Sequence, residues 1–326
     1  MASPVEALLR DQLTERRQKL EDAADLIPGD EQVRRLLREV DAALSRMDKG
    51  TFGICESCHD TIEADRLVAD PLMQYCLDHL TRPQRQALER DLDLAARVLH
   101  GLLPPPSQRF PGYEVARHYE GAGPVSGDYC DALGAEDGSL YFAIGDVSGK
   151  GVAASMLMAH LHATLRALVP LNLPLDQLVA RASSLFCESA LPNHFATLVL
   201  GRAARTGEVE ISNAGHVPPL VARNREIERV APTGIPIGMF CDARFTVTRL
   251  RLSPGDTILL YTDGVNEALD GSGREYGIDR LGGLLATSAR QAAPELIAEF
   301  VRDLQTFRSG SAQADDLTLM AVRRVD

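Results

Sequence analysis

The sequence predicts an α+β protein, with a helical N-terminal part followed by a larger part made of packed antiparallel sheets. Apolar residues recur every three to four positions through residues 5–26, 31–49 and 81–103, which is the spacing of amphipathic helices. After about residue 109, short runs rich in β-branched and aromatic residues appear between Gly, Pro, Asn and Asp. These runs outnumber the helical patterns and do not alternate with them one to one, which disfavours a doubly wound parallel sheet.

The helical patterns divide the N-terminal part. Pro28-Gly29-Asp30 separates the first two helices, and Gly50 is a plausible end for the second. An antiparallel hairpin is predicted, although two helices packed separately on another element would show the same pattern. Pro104-Pro105-Pro106 ends the third helix and marks a domain boundary. The predicted divisions are a helical hairpin (1–50), a cysteine-rich module (51–80), a linker helix (81–108) and a large C-terminal domain (109–326).

The C-terminal domain is predicted from seven strand-like runs and four helical patterns. The helices are expected at about 151–169, 174–189, 277–286 and 294–307. The strand-like runs are SLYFAIGDVS, FATLVLGRAA, EVEISNAG, PPLVAR, FTVTRLRL, DTILLYTDG and LTLMAVRRV.

Composition excludes several classes of protein. The 326 residues are 45% hydrophobic and 25% charged, with a formal net charge of −12. A globular core is expected, whereas an acidic chain is a poor ligand for nucleic-acid phosphates and for anionic membranes. No run of about 18 apolar residues and no secretory signal is visible. We therefore expect a cytoplasmic protein with no membrane or nucleic-acid partner and no disulfide framework.

Three of the six cysteines fall within 22 residues, in a pattern typical of a metal site. Cys55-Glu-Ser-Cys58 is followed, after seventeen residues, by Cys76-Leu-Asp-His79. Two such pairs can supply the four ligands of a tetrahedral structural zinc ion, Cys55, Cys58, Cys76 and His79. Cys55–His59 also spells C-x-x-C-H, the haem-attachment pattern, but haem attachment normally needs export and leaves the second pair unexplained. Unliganded buried thiols are the remaining alternative.

This segment resembles the zinc finger of the DksA/TraR family. The residues that match are Gly50–Cys58, Ile62, Arg66-Leu67, Ala69, Pro71 and Cys76–His79, with the helical hairpin before them. His79 stands where the family usually has its last cysteine. The tip at Pro28-Gly29-Asp30 and the short helices do not match the long acidic-tipped coiled coil with which some members reach RNA polymerase, so polymerase binding is not carried over.

Four Asp-containing turns stand out in the C-terminal domain, each beside an apolar strand pattern. They contain Asp128, Asp146, Asp263 and the pair Asp315-Asp316. Asp is depleted inside strands, and several carboxylates at strand ends suit a hard cation such as Mg²⁺ or Mn²⁺. Gly145–Gly151 is not a P-loop, because only three residues separate Gly145 from Gly149 and glycine follows Lys150.

From about residue 109 to 326 the chain resembles the PPM-type (protein phosphatase 2C-like) serine/threonine phosphatases of the SpoIIE/RsbU group. The runs that carry the resemblance are GDY at 127–129, IGDVSGKGVAASMLMA at 144–159, NAGHVPPL at 213–220, GIPIGM at 234–239, PGDTILLYTDGVNEA at 254–268 and DDLTLM at 315–320. The resemblance implies an αββα sandwich with two Mn²⁺ or Mg²⁺ ions at one sheet edge.

The resemblance also implies roles for single residues. Asp146 should bridge the two ions, and the carbonyl of Val147 should add a ligand. Asp128 and Asp263 should complete the two shells. Asp315 is preferred to its neighbour Asp316 as the ligand of the second ion, although both belong to the expected metal-binding set. Water held between two such ions loses a proton near neutral pH and can attack phosphorus without a covalent intermediate.

The expected function is hydrolysis of phosphoserine or phosphothreonine on a small regulatory protein, such as a STAS-type anti-sigma-factor antagonist in bacterial partner switching. Cys130, Cys187 and Cys241 are interpreted as thiols without a catalytic role, and His216 as a residue that orders a turn. Lys150 either attracts phosphate or is a solvated turn residue. The helix at 81–103 is expected to pair two copies of the chain. The alternatives are a catalytically idle phosphoprotein-binding adaptor and a transcription regulator that acts on RNA polymerase through the zinc module.

Overall fold

The computed structural model describes residues 4–26, 30–79, 82–190, 194–311 and 313–326. Two compact units make up the chain, Met1–Arg90 and Asp91–Asp326. The division falls inside one helix, α4 (Arg82–Leu102). Each unit is described by itself.

The N-terminal unit begins with an antiparallel pair of helices, α1 (Pro4–Leu26) and α2 (Glu31–Asp48). Arg10 near the start of α1 pairs with Asp48 at the end of α2, at 2.8 Å. Leu9, Leu13, Val40 and Ala43 are fully buried between the two helices because they lie on facing apolar stripes. The predicted antiparallel hairpin is therefore confirmed.

The turn between the two helices lies mostly outside the described residues, which include neither Pro28 nor Gly29. Asp30 is described, and it caps α2 by accepting hydrogen bonds from the backbone N–H groups of Gln32 and Val33. After α2, the cysteine segment contains the short helix α3 (Ala64–Ala69) and a 3₁₀ turn at Leu77–His79.

The described strands of the C-terminal unit form two antiparallel sheets. One has the order β1-β2-β11-β10-β7-β8 and the other the order β3-β4-β5-β6-β9. The strands are β1 (Ser107–Phe110), β2 (Tyr113–Glu120), β3 (Asp128–Gly134), β4 (Leu140–Val147), β5 (Ala196–Ala203), β6 (Glu208–Ala214), β7 (Leu220–Arg223), β8 (Glu226–Arg229), β9 (Thr248–Arg251), β10 (Thr257–Tyr261) and β11 (Leu317–Arg324).

Helices cover the outer face of each sheet. The helices α5 (Val152–Leu168) and α6 (Leu175–Ser189) pack on the five-stranded sheet, and α8 (Ile278–Ser288) and α9 (Ala293–Arg308) pack on the six-stranded sheet. Along β4, Phe142 and Ile144 enter the core between the sheets, whereas Tyr141 and Ala143 face α5 and α6. Period-two alternation with both faces buried explains the unbroken apolar runs, and the αββα architecture is confirmed.

Two of the cysteines correct a prediction. Cys187, in the last turn of α6, and Cys241, in the loop that precedes β9, form a disulfide, whereas we interpreted both as thiols. The prediction depended on the compartment expected for the chain and could not account for distance. The fold brings the two Cα atoms to 5.5 Å, within the range that a disulfide spans. Cys130 is a fully buried thiol, as predicted.

One segment also differs from the expectation about apolar runs. Val152–Leu171 has the length and composition of a membrane span, although half of its most apolar 18-residue stretch is buried inside the protein. Leu157, Leu161 and Leu165 on α5 belong to the core against the five-stranded sheet. This helix is apolar because it is buried in that layer.

Candidate metal centres

The cysteine segment brings together the four residues predicted as zinc ligands. The ligand atoms of Cys55, Cys58, Cys76 and His79 all lie within 4.8 Å of one another. The Cys58 and Cys76 sulfurs are 3.7 Å apart, and Nδ1 of His79 lies 3.1 Å from the Cys76 sulfur. A tetrahedral ion with Zn–S bonds of about 2.3 Å separates its sulfurs by about 3.8 Å, so this set fits zinc.

Backbone N–H groups around the Cys55 sulfur favour its thiolate form. Burial raises the pKa of the Cys55 thiol, but backbone N–H groups of Cys58, Cys76 and Ser57 that point at the sulfur more than offset this, and the pKa falls to about 6. The thiolate is the form that binds a metal. His59 is not part of the cluster; it adopts a left-handed backbone conformation, and its N–H donates to the carbonyl of Cys55.

We predict that the purified chain holds one zinc ion, and that Cys76→Ser abolishes it. His79→Cys should keep zinc, because thiolate and imidazole are both ligands of tetrahedral zinc sites. The measurement is zinc content by elemental analysis after dialysis, with His59→Ala as the matched control. Loss of zinc from His59→Ala, with retention in His79→Ala, would show that the wrong histidine was assigned.

In the C-terminal unit, the predicted carboxylates come from both sheets. Asp128 at the start of β3 and Asp146 near the end of β4 are directly opposite each other in the antiparallel register. Asp128 is buried and Asp146 is half-buried. A Cβ atom on Gly127 would lie 3.0 Å from the carbonyl oxygen of Val147 and 3.4 Å from a carboxylate oxygen of Asp146. Glycine at 127 therefore lets the two strands meet closely beside Asp146.

The other acidic residues belong to the six-stranded sheet. Asp263 is the first residue of the short helix α7 (Asp263–Asn266), which begins two residues after the end of β10, and Asp315 and Asp316 directly precede β11. Since β10 and β11 pair antiparallel, the end of one strand lies beside the start of the other. A Cβ atom on Gly264 would lie 2.1 Å from the carbonyl oxygen of Asp316. Only glycine at 264 permits this approach.

Two threonines tie Asp128 to the opposite sheet, and sequence reasoning missed both. The hydroxyls of Thr262 and Thr318 donate to the same carboxylate oxygen of Asp128, at 2.9 and 2.5 Å. Thr262 precedes Asp263, and Thr318 follows the Asp315-Asp316 pair. A hydroxyl beside each acidic turn was the only signal in the sequence, and threonine is too common in strands for that signal to be decisive.

Asp315 and Asp316 have different surroundings. The two carboxylate oxygens of Asp316 accept hydrogen bonds from the backbone N–H groups of Ala122 and Gly127, at 2.7 and 3.2 Å. Asp316 thus fastens the loop that leads into β3. Asp315 forms an ion pair with Lys150 at 3.1 Å, and the Lys150 ammonium also donates to the carbonyl of Ala314. Since the other oxygen of Asp315 accepts the backbone N–H of Asp316 at 3.0 Å, both acids have partners on both oxygens, and the choice of Asp315 over Asp316 as a metal ligand stays a prediction.

The carboxylates of the cluster have raised pKa values, which is the arrangement that a bound cation would stabilise. Burial raises the pKa of Asp128 well above its usual range and that of Asp146 to about 7, and neighbouring carboxylates add to both rises. The pKa of Asp263 is raised as well, first by burial of its carboxylate and second by the negative charge of Asp315. Buried carboxylates gathered in this way are stabilised by divalent cations, for which their oxygens are suitable ligands.

Among the described residues, no three of these carboxylates have oxygens that all lie within 4.8 Å of each other; the cysteine–histidine set alone meets that condition. The division of these carboxylates between two ions therefore stays a prediction of the family resemblance.

His216 is buried beside the acidic cluster, in the turn that follows β6. Its backbone N–H donates to the side chain of Asn213, which agrees with the predicted role in ordering the turn. Burial lowers the pKa of the imidazole to about 4, so the ring is neutral near pH 7.

Comparison with known families agrees with this architecture. The model of the family described as stage II sporulation protein E (SpoIIE) matches residues 136–325, more than half of the chain. This chain belongs to the SpoIIE family. A second family model, the prokaryotic dksA/traR C4-type zinc finger, matches residues 50–78 and ends one residue before His79.

Three curated relatives are similar to this chain over part of their length. Protein IcfG of Synechocystis is 28% identical over 72% of this chain and 41% of its own length. The phosphoserine phosphatase RsbP of Bacillus subtilis is 26% identical over 54% of this chain and 45% of its own length. RsbU, another phosphoserine phosphatase of that organism, is 22% identical over 77% of this chain and 75% of its own. The chain spans less than half the length of IcfG and RsbP.

Solved structures show the same fold. The SiaA-PP2C domain of Pseudomonas aeruginosa superposes with a TM-score of 0.66 at 20% identity, covering 74% of this chain and 98% of that one. The RsbU and RsbW domains of Rv1364c from Mycobacterium tuberculosis give a TM-score of 0.59 at 27% identity, covering 68% of this chain and 63% of that one.

The raised pKa of Asp146 predicts how stability depends on pH without Mn²⁺ or Mg²⁺. The folded-state pKa of about 7 lies above the unfolded value near 4, so the folded chain binds more protons between these values, and its stability falls as pH rises through that window. Asp146→Asn should remove this part of the slope, and added Mn²⁺ should raise the melting temperature of the wild type at pH 7.5.

The measurement is the melting temperature of zinc-loaded protein between pH 5 and 7.5. The difference between variant and wild type cancels the pH dependence of the zinc finger. Asp279→Asn, at a carboxylate that is 97% exposed, is the matched control. Equal slopes for wild type and Asp146→Asn would contradict the prediction.

Proposed function

We propose that the chain is a metal-dependent phosphatase that hydrolyses phosphoserine or phosphothreonine on a regulatory partner protein. The observation that carries the proposal is the gathering of Asp128, Asp146, Asp263 and Asp315, from four separate segments, at one end of the sandwich. Membership of the SpoIIE family and the names of RsbP and RsbU agree with this chemistry.

Two ions, Mn²⁺ or Mg²⁺, would supply a water of lowered pKa and offset the negative charge on the phosphoryl oxygens. The ligands that would hold these ions are the carboxylates of Asp128, Asp146, Asp263 and Asp315 and the carbonyl of Val147. Thr262 and Thr318 orient Asp128 through its second oxygen, and Asp316 holds the loop before β3 in place. Lys150, which is largely exposed beside Asp315, places a positive charge at the mouth of the site.

The proposed substrate is a small phosphoprotein of the STAS-type antagonist class. The pairing of RsbU and RsbW domains in the Mycobacterium tuberculosis structure supports a place in partner-switching signalling. In this proposal the helical hairpin and zinc finger sense a signal or recruit the partner, and α4 leads from them to the phosphatase unit, where Leu99 and Leu103 pack against its two cores.

The test is release of inorganic phosphate from p-nitrophenyl phosphate and from a phosphoserine-containing STAS protein. We expect turnover that requires Mn²⁺ or Mg²⁺ and falls at least a hundredfold in Asp146→Asn and Asp263→Asn, because each variant removes a charged ligand. The control Asp279→Asn should keep wild-type activity. Binding of the phosphoprotein without phosphate release would favour the idle adaptor. Capture of RNA polymerase by the full chain, lost in Cys76→Ser, would favour the transcription regulator.

Exposed apolar residues on α4 favour pairing of two copies through this helix. Leu94 and Val98 lie one turn apart and are 54% and 59% exposed. Leu94→Glu/Val98→Glu should convert a dimer to a monomer, with Asp93→Lys/Arg97→Glu on the same helix as a control that keeps both residues polar. Light scattering measures the mass, and a monomeric wild type at micromolar concentration would contradict the pairing.

A further inference from the structure

The imidazole of His216 connects β5 and β10, which lie beside the segments that carry the proposed metal ligands Asp146 and Asp263. Its Nδ1 lies 2.8 Å from the hydroxyl of Thr197 on β5, and its Nε2 lies 3.0 Å from the backbone carbonyl of Tyr261, the last residue of β10. These partners belong to different sheets. The side chain thus bridges the five-stranded and six-stranded sheets at the acidic end of the sandwich.

The chemistry of the partners determines the proton arrangement. A backbone carbonyl can only accept, so Nε2 carries the hydrogen and donates it to Tyr261. Nδ1 of the neutral ring then has a lone pair and accepts from the hydroxyl of Thr197. Each ring nitrogen therefore has one directed hydrogen bond, and the ring is buried with 4% of its surface exposed.

Each partner lies next to a proposed ligand. Thr197 is directly opposite Asp146 in the register of β4 and β5, and Tyr261 is two residues before Asp263. A change in the distance between Thr197 and Tyr261 is therefore a change in the distance between the backbones that carry Asp146 and Asp263.

The turn that carries His216 is built to hold its ring in this place. Gly215 has a left-handed backbone with φ +69°, and a Cβ atom there would lie 2.5 Å from Cδ of Pro236. The side chain of Asn213 accepts the backbone N–H of His216 at 2.8 Å. These constraints leave the imidazole little freedom to move away from Thr197 and Tyr261.

We propose that His216 is a positioning residue that sets the separation of Asp146 and Asp263 and thereby the affinity of the site for divalent cations. The inference rests on the proposed two-metal function, but His216 touches neither the ions nor the substrate in it. Asp128 with Thr262 and Thr318 forms a direct link between the sheets, and His216 supplies a second link on the other side of Asp146.

The test separates the two hydrogen bonds of the ring. His216→Asn keeps an acceptor near the position of Nδ1 and loses the donor to Tyr261; His216→Gln places an amide N–H near the position of Nε2; His216→Ala loses both. His162→Ala is the matched control, because His162 is also a buried histidine, with 9% exposure, but it lies on α5 with its Nε2 3.7 Å from a carboxylate oxygen of Asp131. Mn²⁺ affinity is measured by titration calorimetry on zinc-loaded protein, together with the melting temperature.

We expect His216→Ala to weaken Mn²⁺ binding about ten- to a hundredfold, the loss typical when a residue that supports metal ligands is removed. The Asn and Gln variants should each recover part of it and keep the proposal testable if the alanine variant does not fold. His162→Ala should lower the melting temperature with Mn²⁺ affinity unchanged.

Folded His216 variants whose Mn²⁺ affinity stays within twofold of the wild type would overturn the inference. A wild type that binds Mn²⁺ without releasing phosphate from any phosphoprotein would overturn only the proposed function. A wild type that binds no Mn²⁺ would overturn both.

Discussion

The C-terminal unit depends on one electrostatic constraint, which is that several carboxylates are brought close together where water cannot fully solvate them. Asp128 is 1% exposed, and it is directly opposite Asp146 in the register of β3 and β4. Without compensation, such an arrangement disfavours the charged forms and raises the pKa values of the acids. Cations offset this cost, so the crowding that raises these pKa values also gives the cluster a strong electrostatic attraction for divalent ions.

The sandwich meets this constraint with hydrogen bonds that cross from one sheet to the other. Thr262 and Thr318 satisfy one oxygen of Asp128 from the six-stranded sheet, although Asp128 itself belongs to the five-stranded sheet. His216 crosses in the opposite sense, from the turn after β6 to the end of β10. The hydroxyl and imidazole groups that form these hydrogen bonds are neutral, so they leave the negative charge of the carboxylates uncompensated. Lys150, the one cationic side chain with a contact to Asp315 in the described chain, lies at the exposed rim.

Much of this architecture could be predicted from the sequence, because long apolar periodicities and a run of motifs in fixed order carry the information. The seven strand-like runs all correspond to strands. The strands β1, β2, β3 and β8 were not predicted; β3 in particular reads DYCDALG, and two aspartates in seven residues hide a strand in which five residues are buried. Asp131 is tolerated there because Arg166 on α5 pairs with both of its oxygens at 2.9 Å. No pattern within a strand reveals a partner 35 residues away on a helix.

The same limit explains which parts of the two metal centres could be predicted. The zinc ligands occupy 25 residues, and local turns around Gly53 and the 3₁₀ turn at Leu77–His79 bring them together, so their spacing carries nearly all the information. The carboxylates are spread from Asp128 to Asp315, and their meeting depends on the register of two sheets. A family resemblance can name those acids, but it cannot name Thr262, Thr318 or His216 as their supports, since these roles exist only once the strands are paired.

A soft zinc site assembled by short turns can form with little help from the rest of the protein. The site for hard cations, in contrast, is only as well formed as the sandwich whose edges supply its ligands.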